Sequence, residues 1–289
     1  MGKAGSKQKG QSILTIDYED WFHVLGHGLL DPSVWEKLPV HVETDTLRLL
    51  DLLDQHSARA TFFVVGWLGE RTPDVLKEII RRGHHVASHG YYHIPPNKMS
   101  EFEFRKDLLR SKEAIENATG ISVLGYRAPG FGVRDCSFCY LDVLQKHGFL
   151  YDSSVFPGLF PGRGQGKVPS HPYRPDQSNP EFWEVPISAI GFGPVRLVFS
   201  GGGFLRLLPG WIVRSSATRS RRRGESVVYY LHPRDVNPDG PTVDARWWQR
   251  LRYYGGRYGL LRKLEDILSS EKLTSIEESR EIMPTVGAL

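Results

Sequence analysis

Residues 12–20 read SILTIDYED: an apolar, partly β-branched run that ends in Asp17, Glu19 and Asp20. A run of this kind is a buried strand whose carboxyl end delivers polar side chains to one edge of a sheet. Working outward, the same pattern recurs. ATFFVVGWLG (60–69) reads as a second buried strand, HHVASHG (84–90) as a third, and residues 125–127 as the end of a fourth. SVVYYLH (226–232) is a later strand that again ends in a polar residue. Between the strands lie helices. Residues 43–56 place Leu47, Leu50 and Leu53 at helical spacing. Pro73 opens a helix to Arg82, with Gly83 where a C-terminal cap belongs. Ser100 and Glu103 form a capping box before a helix to about Ala118, and a further helix covers roughly 136–147. Strand–helix alternation predicts parallel strands with crossover helices. Asp17, His89, Arg127 and His232 all fall at the carboxyl ends of strands, the face where (β/α) barrels carry their chemistry.

Composition bounds the rest. The chain has 289 residues, 40% hydrophobic and 24% charged, which suits one large or two small globular domains and argues against disorder or a fibrous repeat. A net charge of +4 is too small to point to nucleic acid. The dense basic run 219–223 reads as a solvated loop. Cys136 and Cys139 form a single CxxC, which excludes a disulfide scaffold and lacks the other ligands of a structural zinc site. They read as small apolar residues one helical turn apart. The leader MGKAGSKQKGQ lacks the apolar core of a secretory signal. It matches a myristoylation pattern by letters but reads better as a disordered leader. No run of about 18 apolar residues exists, so no transmembrane segment is expected, and a cytoplasmic enzyme is the working class. Oligomeric state is not readable.

The chemistry-bearing residues form clusters. Asp17 and Glu19 would share a face of their strand, where two carboxylates repel unless a cation or a proton separates them. Alone, the tetrapeptide reads equally as a solvated acidic turn. His89 and His93 lie four apart and share a face if the segment turns helically. Two histidines and a carboxylate with an open position form a catalytic zinc pattern that also suits other divalent metals. Arg127 sits where it could orient a carboxylate, and His232 closes an apolar strand before Pro233. Residues 183–186, WEVP, are a weaker candidate for a site wall. Each cluster is weak taken singly.

Their order is more specific. TIDYED, then SHGYYH, then YRAP, then a late LHP resembles the polysaccharide deacetylase family of carbohydrate esterases over roughly residues 12–235. IDYEDWFHV, ATFFVVGW, GHHVASHGYYH, GYRAPGFGV, YDSSVFP and the GGGFLRLLP segment resemble its subgroup associated with bacterial exopolysaccharide and surface-glycan loci. The resemblance implies an α/β fold, a distorted (β/α) barrel over residues 12–235, with a leader at 1–11 and a C-terminal extension with a polar tail at 236–289. It implies a metal-dependent N-deacetylase that releases acetate from an N-acetylated sugar or glycan. Asp17 matches the catalytic base. Many members carry a metal-binding aspartate next to the base, where this chain has Tyr18. Glu19 is then the expected ligand, with Asp20 as the fallback carboxylate. His89 and His93 match the metal histidines, Arg127 the arginine that orients the base, Gly130 the oxyanion-hole backbone and His232 the general acid. The expected cofactor is a divalent ion, Zn2+ first. A cyclic-amide hydrolase resembling allantoinases and a catalytically silent glycan-binding protein are the competing readings.

Overall fold

The structure is a computed structural model that describes residues 10–24, 31–158, 168–192, 195–244 and 246–279. Most of the expected leader, part of the Pro- and Gly-rich stretch 157–179 and the end of the polar tail lie outside the described residues.

One parallel sheet organises the chain. Its strands are β1 (Ser12–Tyr18), β2 (Thr61–Val64), β3 (His85–Ser88), β4 (Gly125–Tyr126), β5 (Tyr151–Asp152) and β6 (Trp183–Glu184). An antiparallel pair, β7 (Ala189–Phe192) and β8 (Val195–Val198), follows, then β9 (Val227–Leu231) and β10 (Leu273–Thr274). The sheet order is β10-β1-β2-β3-β4-β5-β6, with β9 on β1. This is an α/β fold built on a curled parallel half-barrel, as the alternating pattern predicts.

Helices wrap the outside. They are α1 (Pro32–Trp35), α2 (Val42–Gln55), α3 (Gly66–Arg71), α4 (Pro73–Arg81), α5 (Glu101–Thr119) and α6 (Tyr140–Lys146), then α7 (Gly202–Leu207), α8 (Gly210–Arg222), α9 (Trp247–Tyr254) and α10 (Arg257–Ser270). α2 turns Leu49, Leu50 and Leu53 inward, and α5 turns in Phe104, Leu108 and Ile115, all essentially inaccessible. Full burial of such a side chain contributes about 1.5–3 kcal/mol. Ser100 caps α5 as the sequence predicts: its hydroxyl accepts from the Glu103 amide, and Gly120 closes the helix in the left-handed region.

Register positions the site. Tyr18, Val64, Ser88 and Tyr126 lie level at the ends of adjacent strands, and Ile16 lies level with Leu231. Residues 19, 89, 127 and 232 therefore leave the sheet at one edge. The segment 271–279 closes the opposite end. β10 pairs with the start of β1, and the buried Glu277 accepts from Thr61 and Tyr151 hydroxyls.

Four local expectations change. The run 60–69 is a strand only to Val64 and then turns into α3. At Gly66 a Cβ would stand 2.8 Å from Ser111 Cα, so glycine lets the chain turn against α5. The segment after β3 is a loop rather than a helical turn. Its Tyr91 and Tyr92 amides donate to Asp107, and Gly90 and His93 take positive φ. Cys136 and Cys139 precede α6 instead of lying one turn apart within a helix, and Cys139 is exposed. The basic run 219–223 forms the last turn of α8 and its cap, not a loop.

Candidate metal centre and active site

Asp17 occupies the penultimate position of β1 and is held by a guanidinium. Arg127 Nη1 donates to Asp17 Oδ1 at 2.7 Å and to Thr15 Oγ1 at 3.0 Å, while Nη2 donates to Ser153 Oγ at 2.7 Å. Arg127 is completely buried, with its guanidinium 4.1 Å from the centre of the Phe63 ring. A buried arginine with its fork filled this way is rigid and fixes the direction of the carboxylate it faces.

Beside Asp17 stand Glu19, His89 and His93, whose candidate ligand atoms all lie within 4.8 Å of one another. The chain bends directly after β1, where the Glu19 amide donates to the Asp17 carbonyl at 3.0 Å. His89 follows β3. Its Nδ1 pairs with the Arg127 carbonyl at 2.7 Å, which puts the ring proton on Nδ1 and leaves Nε2 as the acceptor. Burial pushes its pKa down to about 4, so the ring is neutral, the form that binds a metal. His93 takes φ 54°, a left-handed conformation unusual for a residue with a Cβ. Strain of that kind concentrates at functional sites.

The group fits a divalent cation on its own terms. His93 Nε2 lies 2.6 Å from Glu19 Oε2, yet among the described residues neither buried His93 nitrogen has a hydrogen-bond partner. One carboxylate and two imidazoles converging in this way is the donor set of a catalytic site with a coordination position left open. Asp20 is not part of it. Its side chain accepts from the amides of Trp21, His41 and Val42, which occupies it as a cap away from the cluster.

Glu19 is also tied to the far wall. Arg234 Nη1 stands 2.7 Å and His232 Nε2 3.2 Å from its Oε1. Burial would raise the Glu19 carboxyl, but Arg234, His93 and His232 outweigh it and hold it well below the usual range. His232 Nδ1 pairs with Asp235 Oδ2 at 3.0 Å, and Asp235 in turn faces Arg206 at 2.8 Å. Burial acts to raise the Asp235 carboxyl, and Arg206 with His232 and Arg234 lowers it strongly.

Asp17, Glu19, His89, His93, Gly130 and His232 line one cavity of about 370 Å³. Gly130 sits on its rim with φ 59°. Gly202 forms another wall, where a Cβ would lie 2.1 Å from the Tyr230 hydroxyl.

Four further residues belong to this site. Arg234 and Asp235 directly follow the LHP motif, and Arg206 reaches them from α7. His23 lies in IDYEDWFHV. Its Nδ1 accepts from the Asp20 amide, so its proton is on Nε2, which is buried and has no partner among the described residues. His23 lines the cavity with its ring edge-on to His93, and burial lowers its pKa well below the usual value. The sequence signal for these residues is adjacency to a motif, which says nothing about where a side chain points.

Comparison with known proteins bears on this geometry. Residues 34–151 match the family model described as polysaccharide deacetylase. Over that segment the chain is similar to the polysaccharide deacetylase family. A second model, described as a domain of unknown function (DUF3473), matches residues 153–281. The polysaccharide deacetylase match therefore contains His89, His93, Arg127 and Gly130, and the second match contains His232 and Arg234. The chain is 37% identical over 113 residues to a peptidoglycan deacetylase of Helicobacter pylori, covering 39% of this chain and 38% of that protein. It is 33% identical over 84 residues to a peptidoglycan-N-acetylglucosamine deacetylase of Bacillus cereus, covering 29% and 30%. It thus spans well under half the length of these polysaccharide deacetylase relatives. A solved Mycobacterium smegmatis structure named for the same family superposes with a TM-score of 0.63 at 24% identity, covering 94% and 88% of the two chains. The Puue allantoinase does so at 0.61 with 16% identity, covering 93% and 88%. These superpositions show a shared fold.

Proposed function

We propose that this chain removes the N-acetyl group from an N-acetylated sugar or glycan by hydrolysis, releasing acetate and a free amine. The observation that carries the reading is Asp17, locked on the buried Arg127 and opening into the same cavity as the Glu19–His89–His93 group. The names of the matched relatives support the same chemistry. We assign the group to a divalent metal ion. Zinc is the first candidate, because imidazole and carboxylate donors with an open position suit it. A bound divalent ion lowers the pKa of water and polarises an amide carbonyl.

The chain's own residues supply the rest. Asp17, aimed by Arg127, takes the proton from the attacking water. Backbone near Gly130 faces the developing oxyanion. His232 presents Nε2 to the cavity while Asp235 fixes Nδ1, and it gives a proton to the departing amine. The role in bacterial surface-glycan or exopolysaccharide synthesis rests on the IDYEDWFHV-type motifs and is proposed with the rest.

The test is elemental analysis of the purified chain together with acetate release from a panel of N-acetylated sugars and glycan oligomers. The reading expects about one metal per chain and acetate release that stops with a chelator. Ring opening of cyclic amides without acetate release would move the chain to the allantoinase-like reading. Glycan binding without turnover of any substrate would make it a binding protein.

A further inference from the structure

The two stretches 202–224 and 245–264 hold six basic residues each and no aspartate or glutamate. The whole chain is only +4, so the remainder is net negative and the positive charge is concentrated here. These stretches form α7 and α8, and α9 with the first half of α10. They pack together: Lys263 of α10 donates to the Leu205, Arg206 and Leu208 carbonyls at the end of α7, and Gly255 abuts Leu207. Arg214, Arg219, Arg222 and Arg223 are exposed and, with Thr218, line one concavity along α8. Arg246, Arg250 and Arg262 are exposed on the neighbouring helices.

The same elements leave large apolar side chains in solvent. Trp211 is 65%, Trp247 78% and Tyr258 77% exposed, and Leu207, Trp248 and Leu251 are exposed beside them. Burial normally hides rings of this size, so several left exposed on elements that pack together mark a contact surface. Trp211 shares a stripe of α8 with Ser215, Thr218 and Arg222, so ring and guanidinium point out together. The patch is also continuous with the active-site mouth, because Leu207, Trp248 and Leu251 line the cavity.

We propose that the face formed by α7–α10 docks on an anionic lipid membrane, with the tryptophans at headgroup depth and the arginines on lipid phosphates. Exposed tryptophan and leucine among an excess of arginines, with no carboxylate in either stretch although Asp239 accepts from Tyr258, matches the interfacial chemistry of such a surface. A soluble polyanion would use the arginines but has no need of the aliphatic side chains. A protein partner of ordinary composition would leave the arginine excess unpaired. The cavity mouth then faces the bilayer, and this holds whether or not the cavity deacetylates anything.

The experiment is sedimentation of the full chain with vesicles of phosphatidylcholine, with and without phosphatidylglycerol. Binding is expected with phosphatidylglycerol, weakening as salt rises, and poor with phosphatidylcholine alone. R214S/R222S is expected to weaken it about 30-fold, and W211A/W247A to weaken it at least about tenfold. These positions are exposed, so circular dichroism should be unchanged. Equal binding to both vesicles, or to neither, overturns the proposal. Binding to heparin or DNA that matches vesicle binding and is indifferent to W211A/W247A assigns the face to a polyanion instead. A dimer in sedimentation velocity that W211A/W247A dissolves assigns it to a second copy of this chain.

Discussion

Arg234 holds its guanidinium 2.7 Å from Glu19 Oε1, the carboxylate that also faces both His93 and His232. A partly buried cation thus shares a carboxylate with the proposed metal. Removing one partner of a buried pair costs more than replacing both. Glu19→Gln should lose bound metal and also about 3 kcal/mol of stability, because Arg234 is left with one partner fewer. Adding Arg234→Met should restore part of that stability without restoring metal. Elemental analysis and urea unfolding of the single and double variants check this. A double variant no more stable than Glu19→Gln would show that the pair does not couple.

The Asp17–Arg127 pair separates the two roles at the site. Asp17→Asn should keep near-normal metal content while acetate release falls by about 10²–10⁴-fold. His89→Ala should instead lose the metal. Acetate release by Asp17→Asn within a few-fold of the parent would remove Asp17 from the base position, and full metal content in His89→Ala would remove His89 from the ligand set.

His23 carries a buried Nε2–H with no partner among the described residues. An unsatisfied buried donor costs about 1–3 kcal/mol. His23→Phe keeps ring packing against Trp35 and Phe22 and removes that donor. The change also strips the Asp20 amide of its Nδ1 acceptor, so the two effects on stability offset; the variant should keep its metal and turn over more slowly, since the Nε2–H on the cavity wall is placed to meet a substrate acceptor. A variant of unchanged activity would make His23 a packing residue.

Glu184 and Asp152 are fully buried neighbours at the ends of β6 and β5. Burial, then the Asp152 charge, raises the Glu184 carboxyl well above its usual 4.5. The folded chain therefore holds a proton here that the unfolded chain releases. That stabilising contribution is complete below about pH 4.5 and is lost as pH rises toward the folded pKa, at up to about 1.4 kcal/mol per pH unit. Urea unfolding across this range should show the slope, and Glu184→Gln should flatten it. An unchanged slope in Glu184→Gln would place the proton elsewhere.

The parallel strands and the helices of the first 150 residues were legible because burial imposes a period on them. Asp17, His89, Arg127 and His232 were legible as strand-end residues because register brings strand ends level. The boundary at Gly66 was not, since it depends on Ser111 of a helix 45 residues away. Arg206, Arg234 and His23 were missed for the same kind of reason: partners on other elements define their roles. The expectation of Glu19 with Asp20 as fallback came from the family resemblance, with strand alternation in agreement, and the amide contacts that occupy Asp20 became visible only in three dimensions.

One pairing has a consequence in time. β10 lies beside the start of β1, about 260 positions earlier in the chain. During synthesis, the strand that carries Asp17 emerges first, and its last neighbour arrives only after nearly everything else has been made. Closing so long a loop costs entropy before the pairing returns any stabilisation. The nascent chain must hold a strand edge open until residue 274 has left the ribosome, and a chaperone that shields that edge should raise the yield of active protein.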